Sequence, residues 1–386
     1  MKRIAWFCVL SLAAFTAAAP AQDAPRAGAP KNIILFGWDG AQRAHVQECL
    51  QRGELPTLKK LSEEGALVDV DVVNGATDTK AGWSQILTGY NPPVTGVYSN
   101  GRYDAVPKGL SIFERLEEHF GADKFVTVAV IGKKGHCGEI NPPRKVRLGD
   151  DGTPAQPQGK AGKKAGKKAG QKAKDAPQPG ARKQPKGRIV EEDGVKYLVT
   201  NASPYYIMYK ALEVWEFGLM QDEKVGTRAM ELLEKYKDQP FFFFVHFAEV
   251  DHSGHKGGEN SKPYNDALIS NDTWTGKIVA KLKELGLYDK TLVYVTADHG
   301  FDEGAKKHSY APYVFLGTND PQVKRAGMRQ DVGPTILARF GLDLGKLDPA
   351  LDGEPLTKAA AKPVLKAPEK KAAAGKARGG AKKKPA

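Results

Sequence analysis

The chain has 386 residues and a formal net charge of +13 at pH 7. Two low-complexity segments carry this charge: residues 155–188 have a net charge of +10 and residues 358–386 of +9, which leaves −6 for the rest of the chain. The basic character therefore belongs to these two segments, and it does not indicate an enzyme specific for nucleic acids.

The N-terminus has the pattern of an export signal. Lys2 and Arg3 precede a short apolar stretch over residues 4–19, and the small residues "APA" at 19–21 suit cleavage. The apolar stretch is short for a membrane span. We therefore predict a signal peptide over residues 1–21, with an uncleaved anchor as the alternative, and a flexible linker over 22–30. The mature protein would be periplasmic or secreted, without a membrane span.

Cleavage would leave two cysteines, Cys49 and Cys137. Two cysteines far apart in the sequence form neither a disulfide scaffold nor a cysteine-rich zinc site. One Cys49–Cys137 bridge and two free thiols are both compatible with export.

Strands and helices alternate through residues 31–357. Before residue 155 the predicted order is strand "KNIILFGWDG", helix "LPTLKKLSEEGA", strand "ALVDVDVV", helix "AGWSQILTG", helix "GLSIFERLEEHFG" and strand "KFVTVAVIG". After residue 188 the order is a helix near 222–237, strand "PFFFFVHFAEV", helix "PYNDALISNDTWTGKIVAKLKELGL", strand "TLVYVTADHG", strand "PYVFLG" and helix "DVGPTILARFGL". This alternation predicts an α/β fold with a mostly parallel central sheet and helices on both faces. The body of about 290 residues fits one large domain.

The two basic segments interrupt this pattern. The stretch "GKAGKKAGKKAGQKAKDAPQPGARKQPKG" is built from residues that cannot bury a core. We predict a disordered insertion over residues 155–188 and a disordered tail over 358–386. Weak contact with polyanions is one interpretation of both segments. A surface protein that only binds polyanions is the alternative to an enzyme.

Acidic and imidazole side chains collect where the predicted strands end. Six such residues follow or precede strands: Asp39, Asp251, His255, Asp298, His299 and His308. Asp251 and His255 lie in "DHSGH", which we predict as a loop leaving a buried strand. Ligands bind at the carboxyl edge of open parallel sheets, and imidazole with carboxylate favours zinc over calcium or magnesium. Six ligands are too many for one tetrahedral zinc, so the sequence predicts two Zn²⁺ ions, with other divalent metals compatible.

Four blocks of sequence in this order resemble the alkaline phosphatase superfamily: "GWDG", "TKAGWSQILTGYNPPVTGVYSN", "DHSGH", and "ADHG" followed by "KKHSYAPYVFLG". The nucleotide pyrophosphatase/phosphodiesterase branch is the most similar, with sulfatases as more distant relatives. The resemblance covers most of residues 32–345 outside the insertion, and it implies the same α/β fold.

The resemblance also implies roles for individual residues. Asp39, Asp298 and His299 match the ligands of the zinc that activates the nucleophile, and Asp251, His255 and His308 match those of the second zinc. Thr79 stands where the family has its nucleophile, which also binds the first metal. Asn100 stands where the phosphodiesterases have an asparagine that hydrogen-bonds the phosphoryl oxygen. Amide groups at the start of the helix that Thr79 leads would add positive charge facing the phosphoryl group.

The implied activity is cleavage of phosphodiester or pyrophosphate bonds in a small phosphate-ester substrate, through a phosphothreonine intermediate. A phosphomonoesterase is the first alternative, with Lys80, Lys133 or Arg102 binding the dianion. A sulfatase-like hydrolase is the second, because "GKKGHCG" resembles a sulfatase lysine–histidine motif and would let Lys133 or His136 contact the substrate anion. The chain departs from sulfatases in its single Asp39 and in the sequence that follows Thr79.

Overall fold

A computed structural model describes residues 30–149, 152–153 and 187–367. The predicted signal peptide, nearly all of the linker, most of the insertion and the tail from residue 368 lie outside the described residues. No helix in the described part is both long and apolar enough to cross a bilayer.

In the described part of the chain, the central sheet has eight strands, and two smaller sheets are separate from it. The strands are β1 (Asn32–Trp38), β2 (Ala66–Asp71), β3 (Val97–Ser99), β4 (Arg102–Tyr103), β5 (Val126–Ile131), β6 (Arg144–Arg147), β7 (Arg188–Glu192), β8 (Val195–Thr200), β9 (Val214–Phe217), β10 (Phe241–Phe247), β11 (Thr291–Thr296), β12 (Tyr313–Thr318) and β13 (Gly327–Met328). The α-helices are α1 (Arg43–Gln51), α2 (Pro56–Glu64), α3 (Thr79–Ile86), α4 (Pro92–Thr95), α5 (Ile112–Phe120), α6 (Asp222–Tyr236), α7 (Glu249–Gly257), α8 (Lys262–Glu284) and α9 (Val332–Arg339).

The large sheet is parallel except at one strand. Its order is β13-β2-β12-β11-β1-β10-β5-β9, and only β12 runs antiparallel to its neighbours. The carboxyl ends of β1, β10, β11 and β5 therefore lie at one edge, where β12 begins. This edge is where the sequence predicts the metal ligands.

Helices cover both faces of the sheet, as predicted. On one face, Phe242 of β10 packs on Phe113 of α5 with ring centroids 5.4 Å apart, and Phe244 packs on Trp83 of α3 at 5.1 Å. On the other face, Trp38 of β1 donates a hydrogen bond to Thr275 of α8 at 3.3 Å. Because both faces are covered, β1, β5, β10 and β11 are buried along their whole length, and this explains their continuous apolar sequences.

The two small sheets lie apart from the central one. The hairpin of β3 and β4 follows α4, and β6, β8 and β7 form a three-stranded antiparallel sheet. The turn between β7 and β8 is Asp193-Gly194 with φ of 52° and 74°, the backbone that a two-residue hairpin turn favours. The insertion predicted over 155–188 ends inside this sheet, since Arg188 is the first residue of β7.

Two predictions need correction. The "DHSGH" stretch is helix α7 and not a loop, and β10 ends at Phe247, before "AEV". The tail predicted from residue 358 contacts the domain as far as it is described: the Ala367 amide donates to Asp71 at 3.0 Å and the Ala361 amide donates to Glu354 at 2.8 Å. Carboxylates of the domain satisfy these backbone amides, which composition alone does not reveal.

Candidate metal centre

The six predicted ligands form two groups at the carboxyl edge of the sheet. Asp39, Asp298 and His299 form one triad, and Asp251, His255 and His308 form the other; the donor atoms within each triad lie within 4.8 Å of one another. The first triad is completely buried, whereas His255 is exposed in the second. The structure therefore brings together the residues that the sequence assigned to each metal.

Helix α7 fixes the geometry of the second triad. Asp251 and His255 are four residues apart and so lie on one helical face. Gly254 lets α7 approach the ring of Phe301, because a Cβ there would lie 2.6 Å from it. Phe301 in turn packs against His255 and His308 with ring centroids 5.2 and 5.3 Å apart. The helix and the aromatic ring beneath it hold both imidazoles in place.

Backbone carbonyls set the tautomers of the three histidines. Nδ1 of His255 lies 3.0 Å from the Lys306 carbonyl, and Nδ1 of His299 lies 2.9 Å from the Gly300 carbonyl. Nδ1 of His308 contacts the Thr77 carbonyl. A carbonyl only accepts, so each Nδ1 carries the hydrogen and each Nε2 turns its lone pair to the site. Metal-binding histidines are commonly oriented in this way.

The Nε2 atoms converge on carboxylate oxygens that lack donors. Asp251 Oδ1 is buried without a hydrogen-bond partner, and Nε2 of His255, His299 and His308 lies 3.4, 3.9 and 4.0 Å from it. Asp298 Oδ2 is likewise unpartnered, 3.4 Å from His299 Nε2. Donor atoms on one tetrahedral zinc lie roughly 3.3–3.6 Å apart. Opposed lone pairs at such spacing fit a cation between them, so the donor set fits two zinc ions.

The pKa shifts differ from one ligand to the next. Burial raises the pKa of Asp298 well above its usual range, and the nearby Asp39 raises it further. The hydrogen bond with Asp251 raises the pKa of His255. Burial lowers the pKa of His308 to about 4, with His299 adding to the shift. His308 is therefore neutral at pH 7 and able to bind a metal.

Thr79 lies beside the first triad, at the start of α3. Asp78 caps this helix by accepting from the Ala81 amide at 3.3 Å, and Thr79 Oγ1 lies 3.5 Å from His299 Nε2. Gly82 allows the close approach, since a Cβ there would lie 2.5 Å from the Cβ of Asp298. The helix thereby presents the Thr79 hydroxyl to the first triad.

Lys133, at the end of β5, bridges the triads. Its Nζ lies 2.8 Å from Thr79 Oγ1, 2.9 Å from Asp39 Oδ1 and 2.9 Å from Asp251 Oδ2. Burial would lower the pKa of Lys133, but Asp39 and Asp251 outweigh this effect and raise it. Burial would raise the pKa of Asp39, yet Lys133 and His246 hold it at about 2. Lys133 is thus a permanent cation beside the candidate nucleophile.

Asn100 and the other candidate substrate residues differ in whether their polar groups already have a partner in the protein. Asn100 Oδ1 accepts from the Lys80 amide at 2.8 Å, which leaves its amino group to donate elsewhere. The Lys80 ammonium is buried against Glu139 and lies 3.6 Å from the centroid of Tyr103, so it is not free for a substrate dianion. The His136 side chain is largely exposed, and its backbone φ is 66°. Desolvation of the part of the ring that faces the protein lowers its pKa, and the charge of Lys133 lowers it further.

The expected helix amides are engaged. The Lys80 and Ala81 amides donate to Asn100 and Asp78, so contrary to the prediction they do not face a phosphoryl group.

Cys49 and Cys137 are both buried free thiols, and no bridge joins them.

Two residues that support the site were not identified from the sequence. His246 of β10 is buried, and its Nε2 lies 2.9 Å from Asp39 Oδ2. Arg329 is buried and donates to the Asp298 carbonyl at 2.6 Å and to Gln85 at 2.7 Å. The only signal for His246 was a lone polar residue in the aromatic run "FFFFVHF"; nothing local marked Arg329.

Comparison with known sequences finds partial relatives. A profile described as "Type I phosphodiesterase / nucleotide pyrophosphatase" matches residues 33–348. The chain is 36% identical over 89 residues to a steryl-sulfatase of Rattus norvegicus, and this alignment covers 22% of this chain and 15% of that protein. It is 41% identical over 66 residues to the bis(5'-adenosyl)-triphosphatase enpp4 of Mus musculus, covering 17% of this chain and 14% of that protein. The alignments thus span less than a fifth of the length of these curated relatives.

Solved structures share the fold at low sequence identity. The lipoteichoic acid synthase LtaP of Listeria monocytogenes superposes with a TM-score of 0.51 at 14% identity, covering 85% of this chain and 76% of that one. An alkaline phosphatase superfamily protein of Vibrio parahaemolyticus gives 0.50 at 17% identity, covering 86% and 71%. These similarities establish an alkaline phosphatase-like fold and carry no statement about substrate.

Proposed function

Because the chain belongs to the type I phosphodiesterase / nucleotide pyrophosphatase family, we propose that it is a two-zinc phosphohydrolase that cleaves phosphodiester or pyrophosphate bonds through a phosphothreonine intermediate. As a member of this family it is a hydrolase of the alkaline phosphatase superfamily. The finer assignment of metal, nucleophile and bond is the proposal. The signal-like N-terminus supports the further proposal that the enzyme acts in the periplasm or outside the cell.

The observation that carries the proposal is the position of Thr79. Its hydroxyl lies beside the first triad, 3.5 Å from His299 Nε2, and 2.8 Å from Lys133 Nζ, which also contacts Asp251 of the second triad. A threonine hydroxyl is a weak nucleophile unless its environment favours the deprotonated form. The partly buried ammonium of Lys133 and the neighbouring first triad would supply that environment.

The residues at the site would have separate roles in the reaction. Zinc ions, when bound by the two triads, would supply Lewis acidity to the attacking and leaving oxygens. Thr79 Oγ1 attacks phosphorus as its proton passes to solvent water, and the bond from phosphorus to the leaving oxygen breaks, so that this oxygen leaves and takes up a proton from water. Lys133 donates to Thr79 and stabilises negative charge there, while the free amino group of Asn100 donates to a non-bridging oxygen. Water then attacks the phosphorus bound to Thr79 Oγ1 from the side that the leaving group vacated; the bond from phosphorus to Oγ1 breaks, the product leaves as a phosphate monoester, and Thr79 Oγ1 takes back a proton.

A phosphomonoesterase is the second candidate, and Lys133 favours it. A monoester is a dianion. Lys133 adds one positive charge beside the nucleophile to the charges of the metal ions that the two triads would bind. A substrate panel on zinc-loaded protein separates the candidates: a phosphate diester, a nucleotide pyrophosphate, a phosphate monoester and a sulfate ester. The proposal expects the highest kcat/KM on the diester or the pyrophosphate. Preference for the monoester would favour the second candidate, and preference for the sulfate would favour the sulfatase alternative.

Thr79 variants test the mechanism. Thr79→Ala should remove nearly all turnover while zinc content stays unchanged, and Thr79→Ser should retain much of it. Thr273→Ala, on the exposed side of α8, is the matched control. Two in-line displacements imply net retention of configuration at a chiral phosphorus. Net inversion would mean that water attacks directly and that Thr79 is not the nucleophile.

A further inference from the structure

A cavity beside the nucleophile helix is not accounted for by the proposed reaction. It has a volume of about 410 Å³ and lies between the β3–β4 hairpin and the three-stranded sheet. Residues that line it include Tyr98, Asn100, Arg102, Tyr103, Arg188 and Asn201. Asn100 connects the cavity to the reaction site, because its Oδ1 accepts from the amide of Lys80, the residue that follows Thr79.

The cavity contains unpaired arginines. Most arginines in the described residues are bonded to carboxylates, carbonyls or hydroxyls, as Arg43 is to Asp71. The arginine side chains without a hydrogen-bond or ion-pair partner there belong to the two small sheets: Arg102, Arg144, Arg147 and Arg188. Two of them, Arg102 and Arg188, line the cavity. Unpaired guanidinium groups that approach one cavity from two sheets are suited to bind an anion.

The arrangement of Arg102 supports binding. Its guanidinium carbon lies 4.0 Å from the centroid of the Tyr98 ring, so it stacks on an aromatic face. Stacking restrains the guanidinium and leaves its N–H edge free for a planar, bidentate contact with phosphate oxygens. Asn201 donates to the Tyr103 carbonyl at 2.9 Å and thereby ties the three-stranded sheet to the hairpin. The two arginines are thus held by connected elements.

One acidic side chain of the lining offsets part of the positive charge of the two arginines. Asp104 also lines the cavity, and its backbone amide donates to the Gly96 carbonyl at 3.0 Å. Two cations against one carboxylate leave the lining with net positive charge. A neutral substrate group would leave both guanidinium groups without a counter-ion, whereas an anionic group would pair with them.

We propose that this cavity binds a second anionic group of the substrate, one ester unit away from the scissile phosphorus. This inference rests on the proposed function, because it takes Asn100 as the point where the scissile phosphoryl group meets the cavity. The substrate class is then an ester with at least two phosphate groups. The second phosphate has two sources: the other half of a pyrophosphate, or the next unit of a phosphodiester chain.

Kinetics with substrates of different charge test the proposal. We compare bis(4-nitrophenyl) phosphate, which has one anionic group, with diadenosine pyrophosphate and with trithymidylate. In the double variant Arg102→Gln/Arg188→Gln, KM for the substrates with a second phosphate should rise about tenfold or more, as expected for the loss of charged hydrogen bonds. KM for bis(4-nitrophenyl) phosphate should stay within about twofold. Arg147→Gln, an unpaired arginine that does not line the cavity, is the matched control.

A binding measurement makes the test independent of turnover. In a Thr79→Ala background, calorimetry should show weaker binding of diadenosine pyrophosphate or trithymidylate when both arginines are replaced. The ligand whose affinity falls more identifies the source of the second phosphate. Equal affinity with and without Arg102 and Arg188 would overturn the inference while leaving the proposed function intact. Failure of the unaltered enzyme to cleave any phosphate diester or pyrophosphate would overturn the proposed function instead.

Discussion

Lys133 Nζ lies 2.8 Å from Thr79 Oγ1, and the same ammonium group contacts one aspartate of each triad, Asp39 and Asp251, at 2.9 Å. A single side chain, two residues after β5, therefore joins the candidate nucleophile to both candidate metal sites. Lysine is a compact point charge with three donors, and the three acceptors here use all of them. Lys133 is thus positioned to hold the hydroxyl and to offset the charge of the buried carboxylates.

Replacing Lys133 by methionine should lower kcat by about 10²-fold, the usual cost of losing one charge-stabilising donor. Methionine is also unbranched and only one atom shorter but carries no charge, and zinc content should not fall because Lys133 is not one of the six ligands. Rapid-quench measurement of the phosphorylated enzyme should show that its formation is slowed. Lys134→Met, at the exposed neighbouring position, is the control. An unchanged kcat would assign Lys133 a role in folding only.

Metal content follows from the two triads. Elemental analysis of purified protein should find about two zinc ions per chain, and His255→Ala should lose about one, because its triad would keep only two ligands. Removing the metals with a chelator should lower Tm, since unpaired carboxylates such as Asp298 would stay buried without a cation. One calcium ion and no zinc would contradict this assignment.

The basic segments allow a test between an enzyme and a protein that only binds polyanions. A chain without residues 155–186 and 368–386 should hydrolyse a small diester as fast as the full chain, because the two triads lie outside both segments. Steady-state kinetics on the two chains make this comparison. No hydrolysis by either chain, together with polyanion binding by the full chain alone, would favour the polyanion-binding alternative.

Much of the fold was predictable because it depends on local pattern. Continuous apolar runs such as "FFFFVHF" indicate strands buried on both faces, and the residues after these runs meet at one edge of the sheet. The six ligands could be predicted for this reason, although Asp39 and Asp298 are 259 residues apart, and the resemblance to the alkaline phosphatase superfamily implied their division into two triads. The sequence could not show that "DHSGH" is helical, because the apolar partner of Gly254 is Phe301, 47 residues away in the chain.

The supporting residues were missed for a related reason. Lys80 could be read as a substrate ligand because its partner Glu139 comes from a distant loop, and only the fold shows that they pair. Arg329 lies in no recognised motif, yet it bonds the carbonyls of Ala76 and Asp298 and the side chain of Gln85. Roles that depend on backbone carbonyls of remote segments leave no local sequence pattern.

Arg329 should therefore act as a positioning residue. Its guanidinium connects the loop before Thr79 with the carbonyl of Asp298. Arg329→Ala should lower kcat more than it changes KM, because Thr79 would shift relative to the first triad without loss of substrate contacts. The unsatisfied buried partners should also cost about 3 kcal/mol of unfolding free energy. Millimolar methylguanidinium should restore part of kcat, and unchanged kcat in a destabilised variant would indicate a purely structural role.

His45 and Glu259 form a further buried pair, which contacts the loop that leads to His308. His45 Nδ1 is 2.7 Å from Glu259 Oε1, and Glu259 also accepts from the Gly304 amide at 3.0 Å, in the loop that leads to His308. Burial would lower the pKa of His45, but hydrogen bonds with Cys49, Glu259 and Asn265 outweigh it and raise the pKa to about 10. Burial would likewise raise the pKa of Glu259, and the bond to His45 lowers it instead.

The pair should make stability depend on pH in a defined direction. An unfolded histidine titrates near pH 6.5, so the contribution of His45 is fully present below that pH and is lost as the pH rises towards 10. The contribution of Glu259 requires its ionised form and is present above about pH 4.5. Unfolding free energies of the unaltered protein and of His45→Gln, measured by urea denaturation from pH 5 to 10, should differ most near pH 5–6 and converge as the pH approaches 10. A difference that grows with pH would mean that His45 is buried in its neutral form.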